Sequence, residues 1–346
     1  MEYRPLGRTG IRVSQLCFGA MMLGAGGNPD HADGARIIHR ALDAGINFVD
    51  TADAYGESED VVGKALKGRR DDVVLATKVG LPLDDDPNHR GTSRRWIKQA
   101  VERSLRRLQT DHIDLYQVHR LDPATGLDET LGALSDLVRA GHVRAIGVSN
   151  ASGSELVEAQ WVAERRGHER FATDQPAYSI LTRAIEYDVL PTAQRLGMGV
   201  LTYRPLEAGW LSGKYRKGRA VAPSGSAARR ERFADALDPD NPANAAKLDA
   251  AEALALLAPE AGLTLVQLAT AFAVRHPAVT STIVGPRTME HLEGYLAADG
   301  VELSDDVLDR IDEIVPPGHT VKVADNMWHT STTALEAASR RRPVRP

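Results

Sequence analysis

Four polar side chains that can hold or steer a proton stand at the ends of short apolar runs or just after them. Asp50, Lys78 and His119 each end a β-branched run of the kind that forms a buried strand, and Tyr55 follows shortly after Asp50. A charged or polar group in such a place costs free energy unless partners lie close to it. If the three strands are neighbours, the four side chains share one pocket and act as partners for one another.

This quartet suits the delivery of a proton to a carbonyl oxygen. The phenol of Tyr55 has an ordinary pKa of about 10, and we expect the ammonium group of Lys78 to lower that pKa towards neutrality by stabilising the phenolate. Asp50 would keep the lysine charged and oriented, while His119 would hydrogen-bond the substrate oxygen. The carbonyl carbon would take hydride from a reduced nicotinamide, because no side chain can supply hydride. Each residue alone is more often structural, but the four together favour catalysis.

The elements that would position these residues alternate regularly along the chain. Eight short apolar runs, each followed by an amphipathic segment, predict parallel strands joined by right-handed helical crossovers. The count of eight favours a closed α/β barrel, a (β/α)8 or TIM barrel, over an open doubly wound sheet. An N-terminal β-hairpin is predicted around Gly7–Gly10. The predicted strands are 16–21, 47–50, 73–78, 113–119, 143–149, 172–175, 199–203 and 280–284, and the helices lie near 35–44, 59–66, 93–108, 128–140, 154–166, 185–196, within 245–276 and from Met289.

Further polar residues stand where the later strands end. Active sites of such barrels lie at the C-terminal ends of the strands. Candidates there are Ser149 and Asn150 after the fifth strand, Gln175 after the sixth, Tyr203 after the seventh, and Gly285 and Arg287 after the eighth.

The composition is that of an ordinary globular protein. The chain has 346 residues, a formal net charge of −5, 42% hydrophobic and 26% charged residues, and a sequence pI of about 6.1. There is enough apolar material for a core, and the mild acidity gives no electrostatic reason to bind nucleic acid or an anionic membrane. The single cysteine, Cys17, and the lack of an apolar leader or membrane-length stretch predict a cytoplasmic protein.

Two segments depart from the alternation. Residues 207–244, rich in Gly, Pro, Ala, Arg and Asp, predict a long loop after the seventh strand. The arginine-rich end of the chain predicts a solvated tail. We therefore expect a barrel over residues 1–320 and a C-terminal extension over 321–346.

Several motifs resemble those of the aldo-keto reductases. They are GINFVDTADAYG at 45–56, DLYQVH at 114–119, IGVSN at 146–150, and YRPL at 203–206 with Gly213-Lys214 shortly after. The likeness extends over about residues 1–315 and is nearest the bacterial branch that includes potassium-channel β-subunits and sugar ketoreductases. It implies a (β/α)8 barrel and NADPH-dependent reduction of an aldehyde or ketone. Tyr55 would then donate the proton, Lys78 and Asp50 would adjust the pKa of Tyr55, and His119 would orient the carbonyl.

The same resemblance implies a set of cofactor-binding residues for NADP(H). Ser149, Asn150 and Gln175 match residues that hold the nicotinamide carboxamide, and Tyr203 matches the ring that stacks on the nicotinamide. Arg287 stands where the family places a cation on the 2′-phosphate, which favours NADP over NAD. Lys214 would reach the pyrophosphate. The full set adds Arg204, Pro205, Leu206, Gly209, Gly285, His291 and Tyr295.

The sequence departs from the family pattern in three places. At the adenosine end, His291, Gly294 and Tyr295 replace the usual Gln, Glu and Asn, so adenine could instead stack on Tyr295. Arg204 replaces a common small Ser, and Arg120 follows His119. The two arginines favour an anionic carbonyl substrate, or they pair with carboxylates of the long loop; both interpretations stay open.

A second functional class also stays open: a cofactor-holding regulatory or redox-sensing subunit, since channel β-subunits keep the quartet as well. A purely structural barrel would not need polar groups at so many strand ends. The sequence has no G-x-G-x-x-G turn, no close pair of histidine ligands and no G-x-S-x-G elbow, so we expect neither a Rossmann site, nor a metal, nor a serine nucleophile. A homo-oligomer is left open.

Overall fold

The computed structural model describes residues 1–24, 26–221, 231 and 233–326. Strands β1 (Tyr3–Pro5) and β2 (Arg12–Ser14) form an antiparallel hairpin. Eight parallel strands then close into a barrel, with each strand beside the next in chain order and the last paired with the first. They are β3 (Leu16–Gly19), β4 (Phe48–Asp50), β5 (Val74–Val79), β6 (Ile113–Val118), β7 (Val143–Ser149), β8 (Thr173–Gln175), β9 (Gly199–Tyr203) and β10 (Val279–Val284).

Helices pack around the outside of this barrel. They are α1 (His31–Asp43), α2 (Ser58–Ala65), α3 (Arg94–Leu108), α4 (Leu127–Arg139), α5 (Gly153–Arg166), α6 (Val189–Leu196), α7 (Ala234–Leu237), α8 (Ala245–Glu260), α9 (Leu265–Arg275), α10 (Met289–Leu296) and α11 (Asp305–Ile314). Short 3₁₀ helices span Ala20–Met22, Arg70–Asp72, Ala184–Glu186, Glu207–Ser212, Pro242–Asn244 and Val323–Asp325.

The barrel has two apolar regions. The larger lies between strands and helices, and the smaller fills the barrel interior with side chains from alternate strand positions. Leu6 and Val13 of the hairpin belong to the interior cluster, together with Phe48 and Leu115 from the strands. The hairpin therefore closes the N-terminal end of the barrel, and the opposite end carries the polar residues.

Side-chain caps stand at the N-termini of two helices, close to the positions predicted from the sequence. Ser93 accepts from the Trp96 amide at 3.2 Å at the start of α3. Ser152 and Glu155 form a capping box at α5. Such caps satisfy amides that a helix leaves unpaired.

The predicted barrel and N-terminal hairpin are confirmed. The predicted long loop over 207–244 follows β9, and its described part contains α7 and the 3₁₀ helices Glu207–Ser212 and Pro242–Asn244; residues 222–230 and 232 lie outside the described residues. The prediction of one last helix from Met289 is incomplete, because α11 follows α10. Its signals are present in the sequence: Ser304 caps it and Asp305 and Asp306 occupy its first turn. The predicted helix 185–196 is a 3₁₀ turn followed by the shorter α6.

The C-terminal part of the described chain continues along the barrel. The amide of Val321 donates to the Leu181 carbonyl at 3.0 Å. The division between a barrel ending at 320 and an extension from 321 stays a prediction, and the predicted solvated tail lies outside the described residues.

Over the same described ranges, no one helix has both the length and the apolar character needed to cross a membrane. The stretches Pro242–Glu260 and Leu265–Arg275 meet those criteria only together, and they are bent by 96° at the break between them.

Candidate active site

Lys78 and Asp50 form an ion pair at the C-terminal end of the barrel. Asp50 ends β4 opposite Ala76 of β5, so Lys78 lies one inward-facing position further along the neighbouring strand. Its Nζ donates to Asp50 Oδ1 at 2.5 Å and to the Thr51 carbonyl at 2.8 Å. Both side chains are buried. The lysine is therefore held charged and fixed in direction.

Tyr55 and His119 complete the predicted quartet above this pair. The loop after β4 follows β5, with the Asp53 amide donating to the Lys78 carbonyl at 3.2 Å, and this places Tyr55 over the lysine. The Tyr55 hydroxyl lies 3.4 Å from His119 Nε2, and Lys78 Nζ lies 5.1 Å from the centre of the Tyr55 ring. The two aromatic rings meet edge to face at 82°. The structure thus brings all four residues together.

The protonation of Tyr55 differs from the sequence-based expectation. Burial of the hydroxyl raises the pKa of Tyr55 above 10, and the charge of Lys78 only partly offsets that rise. The expectation of a pKa lowered towards neutrality is wrong, because desolvation outweighs the ammonium group. Tyr55 is accordingly a neutral phenol at neutral pH, which is the form that can donate a proton.

His119 is also neutral. Burial, together with the charges of Lys78 and Arg120, lowers its pKa well below 6.5. Its Nδ1 atom is buried without a hydrogen-bond partner among the described residues. A neutral imidazole donates from one ring nitrogen, so in the Nε2–H tautomer it presents that donor beside the Tyr55 hydroxyl.

Two side-chain amides lie beside the second carboxylate oxygen of Asp50, which is not the oxygen that pairs with Lys78. Gln175 Nε2 donates to Asp50 Oδ2 at 3.0 Å, and Gln117 Nε2 lies 3.3 Å from the same oxygen. Sequence reasoning missed Gln117. The available signal was its place within a strand that alternates Leu115, Gln117 and His119 on one face, since inward positions recur with a period of two.

The predicted nicotinamide residues form one connected group beside the quartet. Tyr203 donates from its hydroxyl to Asn150 Oδ1 at 2.6 Å, and Asn150 Nδ2 donates to Ser149 Oγ at 2.9 Å. Ser149 Oγ in turn donates to the Gln175 carbonyl at 2.8 Å. Asn150 adopts a left-handed φ of 60°, which turns its side chain at the end of β7.

The sequence pattern of the aldo/keto reductase family matches residues 15–316, most of the chain. The protein belongs to the aldo/keto reductase family.

Relatives within the family are named as oxidoreductases and as channel subunits. The uncharacterized oxidoreductase YrpG of Bacillus subtilis is 41% identical over 332 residues, covering 92% of this chain and 97% of its own. A probable voltage-gated potassium channel subunit beta of Oryza sativa is 34% identical, covering 91% and 97%. Protein tas of Escherichia coli is 32% identical, also covering 91% and 97%. The chain therefore matches these three relatives over nearly their full length.

The predicted phosphate-binding residues lie together at the other side of the barrel mouth. Burial, followed by the charges of Arg287 and Lys214, lowers the pKa of His291, so all three side chains are within electrostatic reach of one another. Arg287 directly precedes Thr288, the N-cap of α10, and His291 lies in the first turn of that helix, whose amides favour anions. Gly285 borders this region, and a Cβ there would meet only the Gly19 carbonyl at 4.0 Å. The cations and the open glycine fit a phosphate-bearing cofactor.

Tyr295 is placed differently from what adenine stacking requires. Its side chain is 8% exposed and packs in the hydrophobic core. Burial raises its pKa, and the opposing contribution comes from the Gly285 amide, which faces the hydroxyl. Tyr295 thus supports the turn after β10 from below, and its ring has little surface left for a base.

The two arginines noted in the sequence have distinct surroundings. Arg204 Nη2 lies 3.2 Å from Glu207 Oε1, so Arg204 pairs with a carboxylate of the long loop. Burial raises the pKa of Tyr203, and the charges of Arg204 and Arg120 oppose that rise, which places Arg120 near the residues predicted to bind nicotinamide. In the part of the chain that the structure describes, no three His, Cys, Asp or Glu side chains gather as a metal site.

Proposed function

We propose that this protein is an NADPH-dependent reductase that converts an aldehyde or ketone to the alcohol, with Tyr55 as the proton donor. The proposal rests on one arrangement above all. The Tyr55 hydroxyl lies 3.4 Å from Nε2 of the neutral His119 and above Lys78, whose Nζ lies 2.5 Å from Asp50 Oδ1. Two donors that converge on one point are what a carbonyl oxygen needs when it gains negative charge.

The chain's own residues account for the proton. Tyr55 gives its proton to the substrate oxygen, and the neighbouring Lys78 ammonium stabilises the phenolate that remains. His119 donates a hydrogen bond to the same oxygen and fixes its direction. Asp50 keeps Lys78 in place, and Gln117 and Gln175 satisfy the second oxygen of Asp50.

NADPH, when bound, supplies the hydride that reaches the carbonyl carbon. Ser149, Asn150 and Gln175 would hold the carboxamide, and Tyr203 would face the ring. Arg287 and Lys214 would hold the 2′-phosphate and the pyrophosphate. Arg287 supports the preference for NADP over NAD, because a guanidinium matches the geometry of a phosphate group.

The proposed substrate is a small carbonyl compound. Arg120 follows His119 directly and carries the charge that would favour an anionic substrate. A panel of neutral, aromatic, carboxylated and phosphorylated aldehydes tests this preference.

A second candidate is a regulatory subunit that holds the cofactor and turns over slowly. The 34% identity to a probable potassium channel subunit beta favours it. The two functions differ in the rate of NADP release. Fast release with rapid turnover supports the reductase, whereas tight retention with turnover in minutes supports the regulatory subunit.

Tyr55→Phe tests the proposed mechanism. The variant loses only the hydroxyl, so we expect carbonyl reduction to fall by roughly 10²-fold to 10⁴-fold. NADPH binding, followed by fluorescence titration, should stay nearly unchanged. Wild-type turnover in this variant would overturn the role of Tyr55, and absence of NADPH binding to the wild type would overturn the proposal as a whole.

A further inference from the structure

A second group of buried charges lies beside the long loop, outside the catalytic quartet. We call it the loop cluster: Arg204, Glu207, Lys247 and Asp325. Lys247 Nζ lies 2.5 Å from Asp325 Oδ2 and 3.7 Å from Glu207 Oε1, and Arg204 Nη2 lies 3.2 Å from that same Glu207 oxygen. Glu207 and Lys247 are almost fully buried. Two cations and two carboxylates therefore balance one another within the protein.

Hydrogen bonds fix Glu207 in this cluster. Its Oε2 accepts from Ser179 Oγ at 3.0 Å and from Thr182 Oγ1 at 2.9 Å. Buried carboxylates are tolerated when ion pairs and hydrogen bonds replace water in this way. Glu207 thus ties the start of the long loop to the segment after β8.

The backbone of the loop shows why such an anchor is needed. Arg204, Glu207 and Ala208 have φ values of 64°, 46° and 55°. The left-handed region is unfavourable for residues with a Cβ, and it persists only where the surroundings impose it. The loop cluster joins two of these three residues.

Aromatic contacts connect the loop cluster to a predicted phosphate ligand. Lys247 Nζ lies 5.4 Å from the centre of the Trp210 ring, and Trp210 stacks on Tyr215 at 4.2 Å. Lys214 Nζ lies 4.8 Å from the Tyr215 ring. The path from Asp325 to Lys214 is therefore continuous through packed side chains.

Hydrogen bonds of residues 320–326 fix the end of the loop cluster at which Asp325 lies. Thr320 Oγ1 donates to Asn326 Oδ1 at 2.6 Å, and Lys322 Nζ donates to Asn244 Oδ1 at 2.6 Å just before α8. Asp325 consequently meets Lys247 from a fixed turn. Residues distant in sequence meet here.

We propose that the loop cluster positions the cofactor loop, residues 203–214, and that Asp325 and Glu207 thereby set how long NADPH stays bound. This inference rests on the proposed function, because it assigns the loop to NADPH. Glu207 and Lys247 hold the left-handed turns and Trp210 in place, and these carry Lys214 to the cofactor. Neither carboxylate touches the reacting atoms, so both are positioning residues.

The test compares Asp325→Asn and Glu207→Gln with the wild type. Both changes keep the side-chain shape and remove one negative charge. We expect the NADPH dissociation rate, measured by stopped-flow fluorescence, to rise about tenfold, which is within the range found for residues that couple to a site through packing. The single-turnover rate of carbonyl reduction at saturating NADPH should stay within about twofold, since the quartet is unchanged.

Asp312→Asn is the matched control. Asp312 Oδ1 accepts from the buried Arg183 at 2.7 Å in α11, in the same C-terminal part of the chain but away from the loop cluster. Its loss should lower the melting temperature without changing NADPH dissociation. If Asp325→Asn releases NADPH at the wild-type rate, or if Asp312→Asn accelerates release equally, the inference is overturned. A wild type that does not bind NADPH overturns the proposed function instead.

Should Glu207→Gln fail to fold, Asp325→Asn still decides the matter, because Asp325 lies at the edge of the cluster with its side chain 11% exposed.

Discussion

Two buried lysine–aspartate pairs have the same length and different settings. Lys78 to Asp50 and Lys247 to Asp325 each span 2.5 Å. The first pair joins two neighbouring strands of the closed barrel. The second joins α8 to a 3₁₀ turn near the end of the described chain. Lys78 lies beneath the Tyr55 ring, whereas Lys247 lies beside Trp210.

The difference shows how position decides what a buried ion pair can do. Strand register fixes Lys78 against Asp50, so this pair can present a charge to a reacting centre with little freedom. The Lys247 pair joins a helix to a 3₁₀ turn away from the quartet, so it holds those two segments together. Removing Asp50 or Lys78 leaves a buried charge without its ion-pair partner, whereas Lys247 keeps Glu207 at 3.7 Å when Asp325 is lost. The consequences should differ: chemistry is lost in one case and cofactor retention in the other.

The largest expected effect comes from Lys78→Met. This change keeps the length of the side chain and removes the charge that stabilises the Tyr55 phenolate. We expect single-turnover reduction to fall by about 10³-fold, typical of the loss of an acid–base group, with NADPH affinity changed only slightly. The matched variant Lys247→Met should keep the single-turnover rate within about threefold. Equal losses in the two variants would contradict the distinction between the pairs.

Asp174 in β8 is a buried carboxylate that pairs with no lysine among the described residues. It is fully buried, and within the described chain neither oxygen makes a hydrogen bond of good geometry. Burial raises the pKa of Asp174 to about 8, although the amides of Ala151 and Gln175 oppose the rise. Because the folded pKa is above the unfolded value of about 3.9, the contribution of Asp174 to the free energy of unfolding is greatest below about pH 4 and is lost as pH rises towards 8.

Asp174→Asn should remove that pH dependence. Compared with the wild type, the variant should gain about 3 kcal/mol in free energy of unfolding between about pH 5.5 and about pH 9, at roughly 1.4 kcal/mol per pH unit up to the folded pKa. Urea unfolding at both pH values measures this gain. Thr270→Val is the control, since Thr270 is a buried hydroxyl without a described partner that does not titrate. A constant difference between Asp174→Asn and wild type would show that Asp174 is solvated.

The same comparison explains what could be predicted from the sequence. The quartet was predictable because Asp50, Lys78 and His119 end successive strands, and a barrel places successive strand ends side by side. Gln117 was accessible by the same logic of alternating faces. The loop cluster was not, because Lys247 and Asp325 meet only through the path of irregular loops. The protonation of Tyr55 also escaped the sequence, since it depends on how far burial outweighs a neighbouring charge.

Arg287→Ala tests the predicted contact between the 2′-phosphate of NADPH and Arg287, a cation that is only partly buried. If Arg287 holds the 2′-phosphate, its loss should weaken NADPH binding by at least about tenfold, as expected for hydrogen bonds to a charged group, and NADH binding by less than about threefold. Lys214→Ala is the comparison, because the pyrophosphate is common to both cofactors and both affinities should fall together. Fluorescence titration with each cofactor measures the two ratios. An equal loss of NADPH and NADH binding in Arg287→Ala would refute the phosphate contact.

The smallest expected effect is that of pH on the reductive single turnover. Burial keeps the pKa of Tyr55 above 10, so the phenol retains the proton it must donate, and burial with nearby cations keeps the pKa of His119 well below 6.5, so the imidazole stays neutral. The rate at saturating NADPH should therefore vary by less than about threefold from about pH 7 to about pH 9. A rate that falls with a midpoint between about pH 7 and about pH 8 would instead show that, once cofactor and substrate are bound, the charge of Lys78 lowers the pKa of Tyr55 by more than burial raises it. In Lys78→Met the falling limb should move to higher pH, because the charge that opposes burial is gone, whereas Lys247→Met should leave the profile where it is.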